Sequence, residues 1–247
     1  MAYDEFKKII EQSDNIVFLG GAGVSTESNI PDFRSADGLY NAKQKYNMSP
    51  ESIISHSFFK QHTDIFYEYY FENMVYVNAH PNAAHFALAK LEQAGKLKAV
   101  ITQNIDNLHQ AAGSKNVLEL HGSVHRNYCM NCGKFYSIEE LLEMGKGVPH
   151  CKECGGIIKP DVVLYEEGLD DKVWSRACEY IENADVLIVG GTSLVVYPAA
   201  SLVSFYTGSK LVLINKSKTN FDHLAQLTIN DNIGTVLSEA VKDITVK

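Results

Sequence analysis

Residues 15–25 read NIVFLGGAGVS, an apolar run that ends in a glycine-rich loop. The run predicts a buried strand over 15–19, because a strand covered on both faces is apolar at every position. The glycines that follow would let backbone amides approach a pyrophosphate group. As a dinucleotide-binding fingerprint the loop is incomplete, since the third glycine is absent and no acidic residue ends a second strand about 20 residues later. These residues alone leave a dinucleotide-binding loop and an ordinary tight turn equally open, and they argue against an ordinary dehydrogenase.

Strands and helices alternate over most of the remaining chain. Short apolar runs are separated by helical stretches, which is typical of a parallel sheet covered by helices on both faces. We therefore predict an α/β fold with a Rossmann-like parallel sheet, in which ligands bind at the carboxyl ends of the strands. The predicted strands are 15–19, 97–102, 117–120, 161–164, 186–189, 211–214 and 227–229, and the predicted helices are 4–12, 82–94, 170–183, about 198–205 and a closing helix from about 234.

Two segments interrupt this alternation. Residues 36–80 carry an aromatic-rich helical pattern that predicts core packing, and residues 123–159 hold four cysteines. We expect both to form a smaller lobe on one side of the sheet, within a single domain spanning 1–247. The larger, Rossmann-like lobe would consist of about 1–35, 81–122 and 160–247, and the smaller lobe of a helical part, about 36–80, and a metal-binding part, about 123–159.

Four of the five cysteines form two C-x2-C pairs, Cys129 with Cys132 and Cys151 with Cys154. About 18 residues separate the pairs, which is typical of a zinc site. Four thiolates complete a tetrahedral shell and leave no position for water, so one structural zinc ion is expected. Two unrelated reduced pairs are the alternative. Reduced cysteines also predict a cytoplasmic protein, because disulfides form in oxidising compartments.

The charge balance excludes some partners. Lys and Arg total 22 against 30 Asp and Glu, a net charge of −8, whereas nucleic-acid binding depends on a basic surface. We therefore expect no nucleic-acid partner. Residues 186–209 carry no charge, as a membrane span would, but Gly190, Gly191 and Pro198 divide the run into a strand, a loop and a helix. Since the N-terminus lacks a signal-peptide pattern, we predict a soluble, cytoplasmic chain with no membrane partner.

Three further segments place polar side chains where a ligand could bind. Residues 102–106 read TQNID and follow a predicted strand, so an amide and a carboxylate could hold a polar ring substituent. Residues 119–122 read ELHG, which puts His121 at another strand end, in a position suited to a general base. Residues 30–34, IPDFR, could cover a bound nucleotide. Each segment also has an ordinary structural interpretation, as a core histidine or a solvated loop.

Taken together, these motifs resemble those of the sirtuins, the NAD-dependent protein lysine deacylases. Their order and spacing match that family from about residue 15 to about residue 237, nearly the whole chain, and most closely its compact bacterial members. The matching motifs, besides the four cysteines, are GAGVS (21–25), IPDFR (30–34), TQNID (102–106), LHQAAG (108–113), ELHG (119–122), KPDVV (159–163), GTSL (191–194) and IN (214–215).

The resemblance implies NAD as a co-substrate. In sirtuins the glycine loop and the arginine of IPDFR hold the pyrophosphate, and Phe33 would guard the nicotinamide pocket. The loops near 191 and 215 would hold the adenosine side. The implied NAD-contacting residues are Gly21, Ala22, Gly23, Thr26, Phe33, Arg34, Gln103, Asn104, Ile105, Asp106, His121, Gly191, Thr192, Ser193, Asn215, Lys216, Ser217 and Ile233.

The reaction implied by the resemblance is lysine deacylation and not hydride transfer. The acetyl-lysine oxygen attacks C1′ of the nicotinamide ribose, nicotinamide leaves, and His121 acts as the general base that activates a ribose hydroxyl toward the resulting alkylimidate. Asn104 is the second residue with an implied catalytic role. Water then completes the release of lysine and O-acetyl-ADP-ribose. A protein mono-ADP-ribosyltransferase that uses the same NAD site is the alternative.

The resemblance also implies how an acyl-lysine protein or peptide binds. The peptide would add as a strand between two segments of the chain, which correspond to Val162, Val163, Leu164 and Tyr165 and to Leu194, Val195 and Val196. Two departures from the family are visible: Asn29 replaces a usual glycine, and Tyr165-Glu166 replaces a common Phe-Gly pair. Residues 69–72, YYFE, lack the arginine that pairs with succinyl or malonyl groups, which favours an apolar acyl group. We expect a monomer.

Overall fold

The computed structural model describes residues 2–32 and 45–246 of the 247-residue chain. Its strands form a six-stranded parallel sheet and a three-stranded antiparallel sheet, which confirms the predicted α/β fold. The strands in chain order are β1 (Ile16–Gly20), β2 (Leu97–Thr102), β3 (Val117–Glu119), β4 (Gly122–Cys129), β5 (Phe135–Ser137), β6 (Ile158–Val162), β7 (Val186–Gly190), β8 (Lys210–Ile214) and β9 (Leu227–Ile229).

Four of the five predicted helices are observed within two residues of their predicted bounds, at 2–11, 83–93, 171–182 and from 233, while the segment predicted as a helix over 198–205 forms a 3-10 helix. No helix in the described part of the chain combines the length and apolar character needed to cross a membrane. The helices are α1 (Ala2–Glu11), α2 (Pro50–Ile53), α3 (His56–Gln61), α4 (Thr63–Asn73), α5 (Ala83–Gln93), α6 (Leu108–Ala111), α7 (Ile138–Glu143), α8 (Asp171–Glu182) and α9 (Ile233–Ala240), with 3-10 turns at Ala22–Val24, Thr26–Ser28, Ala199–Phe205 and Asp222–Leu224.

The order of the large sheet is β3-β2-β1-β7-β8-β9, so β1 lies in the middle. Its last residue, Gly20, is in register with Thr102 of β2 and with Gly190 of β7. In the same way Thr102 pairs with Glu119, and Gly190 pairs with Ile214. Because parallel strands all point the same way, five carboxyl ends meet at one edge of the sheet. The loops that follow these strands are therefore neighbours, although they are far apart in the sequence.

Helices cover both faces of the large sheet. On one face α1, α5 and α9 pack against it through residues that include Leu88 and Val236. On the other face α8 and the 3-10 helix 199–205 contribute Ile181 and Leu202. All five residues of β1 are buried, as expected for a central strand that is covered on both faces.

The smaller sheet corrects one predicted strand. Residues 161–164 are predicted as a strand of the parallel sheet, but the observed strand is β6, which pairs antiparallel with β4 in the order β5-β4-β6. Burial alternates along β6, with Lys159 and Asp161 half-buried between buried neighbours. That alternation is typical of an antiparallel strand with one solvated face. Gly122 begins β4 with a φ of 75°, and a Cβ there would lie 1.9 Å from the Asp161 carbonyl oxygen.

The aromatic-rich segment forms a core, as predicted. Helices α2 to α4 bury Phe59, Phe66, Tyr67 and Tyr70 against the β4–β6 ladder and the residues that follow it. The Tyr67 hydroxyl donates a hydrogen bond to the backbone carbonyl of Ile158 in β6. This contact joins the helical segment to the strand that runs beside the candidate site.

Asn29, one of the two departures from the family pattern, occupies a left-handed conformation with φ 61° and ψ 25°. Asparagine tolerates this region better than most residues. The turn that usually carries glycine is therefore retained.

Candidate active site

A cleft of about 500 Å³ opens at the edge of the sheet where the strand ends meet. Fold geometry explains its position, since the loops that follow β1, β2, β3 and β7 converge there. Many of the predicted NAD-contacting and substrate-contacting residues line it. The predicted residues that line the cleft are Ala22, Gln103, Asn104, Ile105, Asp106, His121, Val162, Val163, Leu164, Tyr165, Gly191, Thr192, Ser193 and Val196.

The glycine loop is packed tightly against the loop that follows β7. The Gly23 N–H donates to the Gly191 carbonyl oxygen at 2.8 Å. A Cβ on Gly23 would lie 2.8 Å from Gly191 Cα, and a Cβ on Gly21 would lie 2.8 Å from Thr192 Cβ. These glycines therefore allow two loops to touch, and only Ala22 of this loop's predicted set lines the cleft. Thr26 lies behind it, where its hydroxyl donates to the Gly23 carbonyl oxygen at 3.0 Å.

A hydrogen-bonded chain of side chains crosses the floor of the cleft. The Asn104 amide donates to Ser25 Oγ at 3.0 Å, and the Ser25 hydroxyl donates to the Asp106 carboxylate at 2.6 Å. The other Asp106 oxygen accepts the Leu108 N–H at 3.0 Å at the start of α6. Ser25 was not among the predicted site residues. Ser25 is the last residue of the GAGVS motif, which is the signal in the sequence that points to it.

Two of the strand-end loops are tied together by Gln103. Its side-chain amide donates to Thr192 Oγ1 at 3.1 Å, which links the loop after β2 to the loop after β7. Its backbone carbonyl oxygen lies 2.9 Å from Nδ1 of His121. Because a carbonyl can only accept, Nδ1 of His121 carries a proton, and in the neutral imidazole Nε2 is then the unprotonated nitrogen.

Burial of His121 favours its neutral imidazole, in which one nitrogen is available to a ligand. Burial lowers the pKa of His121, although the hydrogen bond to the Gln103 carbonyl acts in the opposite direction. The His121 backbone carbonyl accepts the Val163 N–H at 3.0 Å. A base of this kind can take a proton from a hydroxyl group near neutral pH.

The predicted adenosine-side residues are divided between the cleft wall and its surroundings. Asn215 is buried and accepts the Thr192 N–H at 3.0 Å, while its own amide nitrogen has no hydrogen-bond partner within residues 2–32 and 45–246. Ile233 is buried against Gly190. Lys216 and Ser217 are exposed, and neither lines the cleft. Phe33 and Arg34 lie outside the described residues.

The predicted peptide-binding residues are only partly brought together. Residues 162–165 and Val196 line the cleft, but Leu194 is buried at 3% exposure with a left-handed φ of 54°. Val195 is exposed and does not line the cleft. Sequence reasoning missed one wall altogether, because helical periodicity does not tell which edge of an aromatic core faces a cavity. That wall consists of Tyr69, Glu72, Asn73, Met74 and Tyr76.

The four predicted zinc ligands lie in one cluster apart from the cleft. Their Sγ atoms all lie within 4.8 Å of one another. Those of Cys129 and Cys154 are 3.4 Å apart, and those of Cys132 and Cys151 are 3.6 Å apart. A tetrahedral site with zinc–sulfur bonds of about 2.3 Å has sulfur–sulfur edges of about 3.8 Å. The cluster therefore fits the predicted structural zinc ion.

The surroundings of this cluster are built to hold thiolates. The Tyr136 hydroxyl donates to Cys151 Sγ at 3.1 Å. A Cβ on Gly156 would lie 3.0 Å from Cys129 Sγ, so this turn has no room for a side chain. Charge-assisted hydrogen bonds of this type stabilise the ionised sulfur that zinc requires.

Comparison with known proteins bears on this geometry. The model of the Sir2 family matches residues 21–198. A Clostridium tetani protein named NAD-dependent protein deacetylase is 62% identical over 238 residues, which are 96% of this chain and 96% of that protein. A Clostridium acetobutylicum protein of the same name is 59% identical over 238 residues, 96% of this chain and 97% of its own length.

Solved Sir2 structures have the same fold. One, described as Sir2 with a p53 peptide and NAD+, has a TM-score of 0.87 at 38% identity and covers 98% of both chains. Another, a Sir2 variant with a deacetylated p53 peptide and 3′-O-acetyl ADP ribose, has a TM-score of 0.89 at 39% identity and covers 100% of both.

The chain belongs to the Sir2 family, the sirtuins, as its motifs predicted. The enzyme class predicted from the sequence, an NAD-dependent protein deacetylase, is the class that these relatives carry in their names.

Proposed function

We propose that this chain is an NAD-dependent protein-lysine deacetylase, which converts acetyl-lysine and NAD to lysine, nicotinamide and O-acetyl-ADP-ribose. The observation that carries the proposal is the state of His121. Its Nδ1 donates to the Gln103 carbonyl, and burial favours the neutral imidazole, so Nε2 is available in a cleft of about 500 Å³. That arrangement suits a general base acting on a hydroxyl group.

The residues of the cleft fit NAD. Polar groups after β1, β2, β3 and β7 line one cavity, and the buried Asn215 amide nitrogen in the adjoining loop has no hydrogen-bond partner among the described residues. The residues proposed to hold NAD are those named from the family motifs, with Ala22, 103–106 and 191–193 on the cleft wall. When bound, NAD supplies an activated ribose that takes up the acetyl group as nicotinamide leaves.

Two side chains are proposed to take part in the chemistry. His121 accepts a proton at Nε2 from a ribose hydroxyl. Asn104 has its amide nitrogen fixed by Ser25, which leaves its carbonyl oxygen to accept a hydrogen bond from a ligand group. The Ser25–Asp106 pair holds Asn104 in place and has no proposed contact with the reacting atoms.

The acetylated protein is proposed to bind as an added strand. Residues 162–165 run along the cleft on one side, and Val196 lines the other. Backbone hydrogen bonds would give the affinity, and the cavity would accept the modified side chain. The walls that the described residues contribute include no Lys or Arg, which favours an apolar acyl group over one with a free carboxylate.

The proposed domain organisation is a single catalytic domain with two lobes. The larger lobe would contain the parallel sheet, and the smaller lobe the aromatic core and the zinc cluster. Separate buried cores support this division, since the residues packed around Tyr136 and those around Tyr67 form clusters distinct from the two sheet faces. The zinc ion is proposed to be structural because its four sulfur ligands complete its shell.

The proposed working form is a monomer that binds no nucleic acid. The net charge of −8 opposes attraction to phosphates. Light scattering after size exclusion would test the first statement, and retention on DNA at low salt would test the second. A stable dimer or salt-sensitive retention would contradict them.

The decisive experiment follows both reaction products. The purified chain is incubated with an acetyl-lysine peptide, with and without NAD, and peptide and small molecules are measured by mass spectrometry. NAD-dependent loss of acetyl together with O-acetyl-ADP-ribose is expected. Protein that gains ADP-ribose while the peptide keeps its acetyl group would instead establish a transferase. A folded, zinc-loaded sample that consumes no NAD would contradict both.

A further inference from the structure

Glu166 has an unusual conformation at the rim of the cleft. Its φ is 76°, in the left-handed region that a glutamate rarely adopts. The family pattern commonly has glycine at this position, and glycine adopts this φ without strain. A strained residue persists when the surrounding contacts determine its conformation, and such residues often serve a functional site.

The contact that determines this conformation is with the first turn of α3. The two oxygens of the Glu166 carboxylate accept the Ser57 N–H at 2.9 Å and the Ser57 hydroxyl at 3.0 Å. The N–H of His56 is bound by the Tyr165 carbonyl oxygen at 2.9 Å. Residues 165–166 thereby satisfy two of the backbone donors that a helix N-terminus leaves unpaired.

Backbone pairing on both sides fixes the same segment. The Tyr165 N–H donates to the Ile54 carbonyl oxygen at 3.1 Å, next to an isolated parallel bridge between Ser55 and Tyr165. Two residues earlier, the Val163 N–H donates to the His121 carbonyl oxygen at 3.0 Å. The segment 163–166 therefore runs from the candidate base to α3 along the edge of the cleft.

The carboxylate of the next residue, Glu167, has different partners. Glu167 accepts the Leu164 N–H at 2.9 Å and lies 2.8 Å from His56 Nδ1 and 3.2 Å from Lys159 Nζ. The Glu167 carboxylate closes a local turn with Leu164 and does not contact Ser57. The contact with Ser57 is thus made by Glu166.

We propose that Glu166 is a positioning residue for the acyl-lysine peptide: by binding Ser57 it holds residues 163–165 along the cleft in the conformation that the peptide strand pairs with. This role rests on the proposed function, because it assumes that the peptide binds beside 162–165. The carboxylate acts through the backbone, so its loss should weaken peptide binding and leave the chemical step and NAD binding unchanged.

Three substitutions separate the possible causes. Glu166→Gln keeps an acceptor for the Ser57 N–H and a donor for its hydroxyl, and removes only the charge. Glu166→Ala removes the contact and keeps the backbone strain. Glu166→Gly removes the contact and also the strain, which protects against a variant that simply unfolds.

The test is steady-state kinetics of the full chain with an acetyl-lysine peptide, together with calorimetric binding of the peptide alone. We expect KM and Kd for the peptide to rise about fivefold in Glu166→Ala and Glu166→Gly, the effect of losing one or two exposed hydrogen bonds. The values of kcat and of KM for NAD should stay within about twofold of wild type in both. In Glu166→Gln all constants should stay within about twofold. Amide exchange of His56 and Ser57 should quicken in the Ala and Gly variants only.

Several results would overturn the inference. Peptide constants that are unchanged in Glu166→Ala would mean that the contact does not position the segment. A Gln variant as weak as the Ala variant would assign the effect to charge, and a Gly variant equal to wild type beside a weak Ala variant would assign it to strain. If the wild-type chain neither binds nor deacetylates any acetyl-lysine peptide, the proposed function itself fails and this role fails with it. An active wild type with unaffected variants overturns this role alone.

Discussion

The zinc cluster and the cleft assemble their polar groups in different ways. All four sulfur ligands come from two short turns, 129–132 and 151–154, and lie within 4.8 Å of one another. The cleft takes its polar groups from the loops that follow β1, β2, β3 and β7, from the segment after β6, and from a wall at the end of α4. The first site is closed, with every ligand atom directed at one point. The second is open, with side chains tied to one another and a cavity between them.

Because of this difference, the two sites should respond differently when one of their residues is replaced. A closed metal site contributes its metal-binding free energy to folding, so removing the metal should first cause loss of structure. An open site contributes little to folding, so single substitutions there should reduce turnover before they reduce stability.

Removal of zinc should have the largest consequence. Substituting Cys151 by Ser, or extracting the ion with a chelator, should unfold the 123–159 segment and reduce deacetylation about 100-fold or more, because structural zinc is bound with about 10 kcal/mol or more. Zinc content, circular dichroism and activity are measured together. The matched control is Cys178→Ser, which changes a half-buried cysteine outside the cluster and should keep both metal and activity. Zinc-free protein with wild-type melting and activity would refute the comparison.

Replacing the candidate base, His121, should lower activity and leave stability nearly unchanged, the opposite of the result expected at the zinc cluster. His121→Ala should lower kcat by about 10²–10⁴-fold, the usual contribution of a general base. The melting temperature and the zinc content should stay near wild type, since in the described part of the chain the His121 side chain has one hydrogen bond, to Gln103. His125→Ala is the matched control, because His125 lies four residues later in the chain, in β4, and does not line the cleft. A His121 variant that keeps more than half its activity would exclude the assigned role.

Glycines of the two regions should respond differently to the same change. A Cβ on Gly23 would lie 2.8 Å from the Gly191 backbone, so Gly23→Ala should cost about 1–3 kcal/mol of unfolding free energy. Gly147, between α7 and the second cysteine pair, has open space around it, and Gly147→Ala should change stability by no more than about 0.5 kcal/mol. Denaturant unfolding measures both. Equal effects would show that the contact between the two loops is not tight.

The chain of hydrogen bonds through Ser25 should have a smaller, kinetic effect. Ser25→Ala leaves the Asn104 amide and one Asp106 oxygen without their shared partner, and kcat/KM for NAD should fall about tenfold. Ser28→Ala is the control, because this buried serine accepts a hydrogen bond from Asn82 outside the cleft. Loss of kcat/KM in the control alone, or in neither variant, would contradict the role of Ser25.

The sequence predicted the zinc cluster almost completely because everything needed is local. Spacing within each pair and turn glycines define the ligand set before any tertiary contact is known. Strand ends could also be predicted, since 97–102 and 227–229 coincide with β2 and β9. Parallel register then brings those ends together whatever the side chains are.

The remaining features depend on contacts that no local pattern encodes. The glycine loop suggested a ligand, whereas its glycines pack against Gly191 and Thr192. The strand 161–164 was assigned to the wrong sheet, because an apolar run alone does not tell a parallel partner from an antiparallel one. The wall from Tyr69 to Tyr76 follows from how α4 sits on β6, through contacts such as Tyr67 with Ile158.

The smallest predicted change is in the pH dependence of kcat, to which both the cleft and the zinc cluster can contribute. Burial lowers the pKa of His121 against the opposing influence of Gln103, so the imidazole remains neutral down to a pH below the ordinary value of about 6.5. A base is active when neutral, so kcat should be constant near pH 7 and fall as the pH drops through this lowered pKa. Its midpoint should lie below about 6.5.

The zinc thiolates can also be protonated in acid, and loss of the metal would mimic loss of the base. Zinc content must therefore be measured at each pH between about 5 and about 8. If kcat falls while zinc stays bound, the cleft titrates by itself and the two regions are independent. If kcat and zinc fall together, or if the midpoint lies at or above about 6.5, the assignment of the pH dependence to a buried neutral His121 is wrong.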